Sequence, residues 1–264
     1  SSVRIENNWI KDNWGNTAII DSITVGVMGI CGREGSTLII FDNRIVNNSW
    51  DGIALYGDAS ATISSNWIEG DYDPLTVGGN GSGIGITWDA RASLEGNYIS
   101  GYGSGISSYA SAQIEIHQNI IENVSKWGIK VASGSKGEKI NGTIAQNIIW
   151  QVGACGFSLS TQNDSAGLVV NSNLVGQTGN DPSIDPEKYC PACPVDIQMQ
   201  GQKDIIMKMV LFDNNRREDL CKFPLKDESL EAFRHGADLI LEDFKNIRFL
   251  EQSAFYKAIY ASSK

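Results

Sequence analysis

Three aspartates, Asp51, Asp73 and Asp89, each stand beside an aromatic residue (Trp50, Tyr72 and Trp88). Two carboxylates about 5 to 9 Å apart can break a glycosidic bond, one protonating the leaving oxygen and the other acting as base or nucleophile. A lyase or epimerase needs a base beside an acidic C–H and a cation for the neighbouring carboxylate; Lys130 and Arg91 are the basic candidates for those roles. Tyr56, Trp88, Tyr109, Trp127, Trp50 and Tyr102 offer flat faces suited to sugar rings. Cys190 and Cys193 have zinc-like spacing with Cys221 as a third sulfur, but no fourth ligand is evident, and a disulfide pinning that loop accounts for the pair as well. Calcium in the Asp71–Asp73 loop is a further candidate.

The elements that position these residues emerge from an internal repeat. Asn followed two residues later by an aliphatic residue recurs at Asn8, Asn43, Asn66, Asn97, Asn119, Asn147 and Asn173, with spacings of 35, 23, 31, 22, 28 and 26. Eight or nine residues after most of them comes Gly plus an apolar residue: Gly52-Ile53, Gly105-Ile106, Gly128-Ile129 and Gly156-Phe157, with Gly83-Ile84 joining after an insertion. Just before each Asn stands a short alternating stretch, such as Gln113-Ile114-Glu115-Ile116. Three short strands per repeat, each with inward aliphatic and outward polar residues, predict a stacked solenoid of about seven rungs. The Asn positions are expected to mark a sharp bend, because Asn tolerates the left-handed backbone, and to hydrogen-bond to one another as a ladder.

This pattern resembles the parallel β-helix repeat family, the right-handed fold of pectate lyases, polygalacturonases and alginate epimerases. The resemblance implies an all-β, right-handed parallel β-helix over residues 1–175. It also implies that a sugar chain lies along the outside of the strand that starts at the Gly-Ile landmark. Alternation then points Ala54, Tyr56, Thr87, Ser107, Tyr109, Lys130, Ser158 and Asp21 outward, with Asp51, Asp58, Asp89, Arg91 and the aromatic residues on flanking loops. The Asn-Thr-Asp, Asp-Asp and Gly-His-Gly signatures of polygalacturonases are absent, as is the epimerase Asp-Pro-His run. Asn180 to Pro186 looks like the exit segment that follows the last rungs in this family.

Residues 176–223 read as an exit loop with one strand at 204–213. Residues 224–264 read as a helical tail, Leu230, Phe233, Ala237, Ile240, Leu241 and Phe244 recurring at helical spacing, and serve as a cap or an interaction segment. An N-terminus entering straight into repeat suggests an upstream domain or self-association. With 21 Lys plus Arg against 31 Asp plus Glu, the net charge of −10 argues against nucleic acid and, unless a cation bridges, against polyanionic sugars. No apolar run is long enough to span a membrane. Five cysteines leave at least one without an intrachain partner. The expectation is a secreted, cell-surface or periplasmic protein that binds a polysaccharide, with two readings open: an enzyme (lyase, epimerase or hydrolase), or a non-catalytic structural or adhesive scaffold.

Overall fold

The computed structural model describes residues 1–16, 18–20, 23–71, 81–133, 138–161, 167–171, 173–179, 181, 195–199, 209–212 and 247–260. Its strands stack into three parallel sheets of seven, eight and seven strands, forming a β-solenoid. Sheet one holds the strands before each Asn: Ser2–Glu6, Thr37–Phe41, Ser60–Ser64, Ala90–Glu95, Ala112–His117, Ile140–Ala145 and Gly167–Asn171. Sheet two holds those after it: Trp9–Lys11, Arg44–Val46, Trp67–Glu69, Tyr98–Ser100, Ile120–Val124, Ile148–Val152, Asn173–Thr178 and Met209–Phe212. Sheet three starts at the Gly-Ile landmarks: Ile30–Gly32, Ile53–Leu55, Ser82–Thr87, Ser104–Tyr109, Trp127–Ala132, Cys155–Thr161 and Val195–Met199.

The core is three columns of aliphatic side chains, one per sheet. In sheet two Ile45, Ile68, Ile99, Ile121, Ile149 and Val175 are successive register partners. In sheet three the column is Ile53, Ile84, Ile106, Ile129 and Phe157. In sheet one it is Ile40, Ile63, Leu94, Ile116, Ile144 and Val170. All are buried, and each contributes roughly 1.5–3 kcal/mol. The landmark glycines follow from this column. A Cβ on Gly83 would sit 2.2 Å from Ile99 Cγ2 and 2.8 Å from the Gly105 carbonyl oxygen; one on Gly105 would meet Ile121 and Gly128 as closely. Only glycine lets sheet three turn in beneath sheet two.

The corner between sheets one and two corrects one expectation. The left-handed residue is the one before each of the first six ladder Asn residues: Asn7, Asp42, Ser65, Gly96, Gln118 and Gln146. The Asn itself is needed for its side chain. Asn97 donates its backbone N–H and Nδ2 to Asn119 Oδ1 (3.0 and 2.9 Å) and Nδ2 also to the Ile63 carbonyl (2.9 Å). It accepts the same pair of bonds from Asn66. The pattern runs unbroken from Asn8 to Asn173.

Two further findings extend the sequence reading. The stretch expected to be loop contains the strand Val195–Met199, and Met209–Phe212 pairs with Asn173–Thr178, so the solenoid continues past residue 175. The expected helix at 230–244 and most of the exit segment lie outside the described residues. Ile247–Tyr260, ending in a helix at Ala254–Tyr260, runs along the flank of sheet two as a strap instead of crossing the solenoid's end. Phe249 meets Trp67 and Tyr98 edge-on (5.4 and 6.3 Å), and Phe255 meets Trp150 (5.4 Å). The Glu122 carboxylate accepts the amides of Ala254 and Phe255 and the Tyr98 hydroxyl. Burial pushes the Glu122 carboxyl above the usual carboxylate range despite those donors.

Candidate functional site

The outer face of sheet three carries one side chain per rung in each register row. The central row runs Cys31, Ala54, Gly85, Ser107, Lys130, Ser158. The next row out includes Thr87, Tyr109 and Ala132. Parallel strands are about 4.8 Å apart, so Gly85 and Lys130 stand roughly 10 Å apart with Ser107 between them.

Asp51, just ahead of Ile53–Leu55, folds over this row. Its Oδ1 accepts the Ser82 amide at 2.6 Å. Its Oδ2 faces Gly85, where an added Cβ would lie 3.5 Å from it and 3.9 Å from Ser107 Oγ. Ser82 and Ser107 share a hydroxyl hydrogen bond of 2.7 Å. Asp51 is only 6 % exposed, and desolvation pushes its carboxyl up to about 7 although the Ser82 amide opposes the shift. A carboxyl that is half protonated near neutral pH, beside two hydroxyls and above a glycine, can give or take a proton. Ser82 was not a sequence candidate; its only signal was the run Gly81-Ser82-Gly83.

Aromatic groups border the row. Tyr56 and Trp88 meet at 5.6 Å, and Trp88 (44 % exposed) and Tyr109 (50 %) present open faces. The Lys130 ammonium lies 3.8 Å above the Trp127 ring. Burial first, then nearby Lys126, lowers the Lys130 pKa.

Other candidates fall elsewhere. Tyr102 is 1 % exposed inside the core, its hydroxyl without a partner, so it cannot meet a ligand. Trp50 packs against Gly26, where an added Cβ would strike its Cβ at 2.4 Å. Arg91 pairs in register with Ser60 and Gln113 on sheet one, a different face from Lys130. Asp89 is exposed, in a left-handed corner at the opposite end of Ser82–Thr87 from the amide that holds Asp51. That six-residue strand is about 16 Å long, so the two do not converge. Asp73, Tyr72, Asp21, Cys190, Cys193 and Cys221 lie outside the described residues. Among the described residues no group of three or more His, Cys, Asp or Glu is placed to hold a metal ion. Cys31 is free and exposed, whereas Cys155 is disulfide-bonded. No helix among the described residues is long and apolar enough to cross a membrane.

A family model described as "right handed beta helix region" matches residues 1–175. Among curated proteins and among solved structures, nothing matches the chain.

Proposed function

The chain belongs to the right-handed β-helix family, and from that premise we propose that it binds a neutral polysaccharide along the outer face of sheet three and cleaves it with Asp51 as the acid. The observation that carries this reading is the Asp51 carboxyl, pushed up to about 7 and turned toward the space above Gly85. Trp88 and Tyr109 supply faces for sugar rings, and Ser107 and Lys130 supply donors for hydroxyls. A net charge of −10 favours a neutral chain over a polyanion. Such a polymer places the protein outside the cell or at its surface, and a disulfide at Cys155 suits that compartment.

One observation favours a second reading, an adhesive scaffold that binds without turnover. Among the described residues no second carboxylate stands beside Asp51, and acid-catalysed hydrolysis uses a pair.

The test is a glycan-array screen of the chain, followed by incubation with the bound polymers while reducing ends are assayed. Binding with turnover is expected. Trp88→Ala should weaken binding about tenfold, and Asp51→Asn should abolish turnover while leaving binding intact. Binding without turnover moves the protein to the adhesive reading. No binding across neutral polysaccharides overturns both.

A further inference from the structure

The outer row of sheet two begins Trp9, Arg44, Trp67, Tyr98, each the register partner of the next. Trp67 stacks on Tyr98 at 4.0 Å with 22° between the planes. The Arg44 guanidinium is held between two indoles, 5.9 Å from the Trp9 ring centre and 5.7 Å from that of Trp67. These rings fix the plane of the guanidinium but leave its N–H edge unused. Among the described residues the Arg44 guanidinium has neither an ion pair nor a hydrogen bond; its backbone N–H donates to the Asn8 carbonyl. Its neighbours are matched: Arg248 with Asp42, Lys11 with Asp12 and Arg4 with Glu6.

Arg44 opens into a cleft of about 410 Å³ at the edge of the strap, bordered by Trp9, Trp67, Phe249, Asp42 and Arg248, with Asn7 and Asn8 also lining it. The charged lining residues are Asp42, Arg44 and Arg248, which sum to +1 in a chain of net charge −10. Trp9 is 65 % exposed, the most exposed of the large apolar side chains among the described residues.

We propose that this cleft binds a ring compound bearing one carboxylate, of the acidic-sugar class. The carboxylate takes the free edge of Arg44 in a two-bond fork, the apolar face of the ring lies on Trp9, and the Asn7 side chain and Asn8 Oδ1 take hydroxyls, the Asn8 Nδ2 being held by the Glu6 carbonyl and Asn43 Oδ1. Asp42 sets the limit at one negative charge, because a second carboxylate would meet it. The site lies on a different sheet from Asp51 and stands or falls independently of the sheet-three reading.

Calorimetric titration of the full chain with methyl β-D-glucuronide tests this, with methyl β-D-glucoside as the neutral control. The glucuronide is expected to bind at least tenfold more tightly than the glucoside. Arg44→Gln should erase that preference, Trp9→Ala should weaken both ligands, and Asp51→Asn should leave both unchanged. Arg44→Lys, which keeps the charge but loses the planar fork, should retain only part of the preference. Equal affinity for the two glycosides, no binding of either, or a preference that survives Arg44→Gln and Arg44→Lys overturns the proposal. Displacement by inorganic phosphate at the same concentration as the glucuronide also overturns it, by showing a general anion site.

Discussion

At the scale of the residue, the decisive group is Asp51, whose burial makes it both a chemical asset and a cost to folding. Its carboxyl is raised from 3.8 to about 7, so between those values the folded protein binds a proton that the unfolded chain has released. The stability this group contributes is full below about pH 4, falls as pH rises, and is gone above about pH 7. Glu122 is shifted in the same direction, so the pH profile of the parent protein reports both groups. Asp51→Asn separates them, because its side-chain oxygen can still accept the Ser82 amide while the charge is gone. At pH 8 the variant should be the more stable by up to about 4 kcal/mol, and at pH 4 the two should nearly coincide. Urea denaturation at four pH values measures the difference, and parallel profiles would sink the assignment. Tyr102 shows the converse at the same scale. Placing it on a ligand face by sequence alone failed because it follows Gly101, a left-handed residue that turns the chain inward, and no alternation pattern carries through such a corner.

At the scale of the element, the repeat was legible because each rung demands the same side chain at the same place. The Asn spacing and the Gly-Ile landmark both reflect contacts made in every turn: the amide ladder, and the close approach of glycine to the isoleucine of sheet two. The bend residue was misplaced by one because it has no fixed type; Asn7, Asp42, Ser65, Gly96, Gln118 and Gln146 share only a positive φ. The site was less legible than the fold. Asp51, Lys130, Trp88 and Tyr109 do share one face, but Arg91 and Asp89 lie beyond corners that alternation cannot carry through. The ladder makes a graded prediction. Asn97→Ala leaves the buried Asn66 backbone amide without its acceptor, Asn119 Oδ1 without the Asn97 side-chain donor, and the Ile63 carbonyl without the Asn97 Nδ2 donor. At about 1–3 kcal/mol per buried orphan, the loss should be about 3–5 kcal/mol. Asn8→Ala, at the exposed first rung, gives up donors that water replaces and should cost under about 1 kcal/mol. Equal losses in urea denaturation would show that the ladder is not what holds the corner.

At the scale of the whole molecule, the solenoid has one continuous core but no long-range packing of its own, since each rung touches only its neighbours. The strap is the exception, reaching from Asp42 to Trp150 across several rungs of sheet two. Its docking was signalled in the sequence, though only in hindsight. The outward position after each ladder Asn changes from Arg44 to Tyr98, Ile120, Ile148 and Leu174, so these strands become apolar on both faces, as covered strands do. At the other end of the row, among the described residues, the strap borders Trp9 and Arg44 only through Arg248 and Phe249 at the edge of their cleft. Phe255, fully buried against Trp150, anchors the covered part, and Phe255→Ala should cost about 3–5 kcal/mol locally. Because rungs couple only to neighbours and the ring contacts and Glu122 bonds of the strap lie on sheet two, the loss should stay on that flank. Hydrogen exchange should then rise at least about 100-fold for the amides of Ile247–Tyr260, including those of Ala254 and Phe255 that Glu122 accepts. It should rise modestly for Ile120–Val124 and Ile148–Val152, and stay unchanged for Ala112–His117 and Ser104–Tyr109 on the other two faces. A uniform rise on all three faces would mean that the strap holds the solenoid together as a unit, and that the aromatic row beneath it is part of the global fold instead of a surface the chain covers for itself.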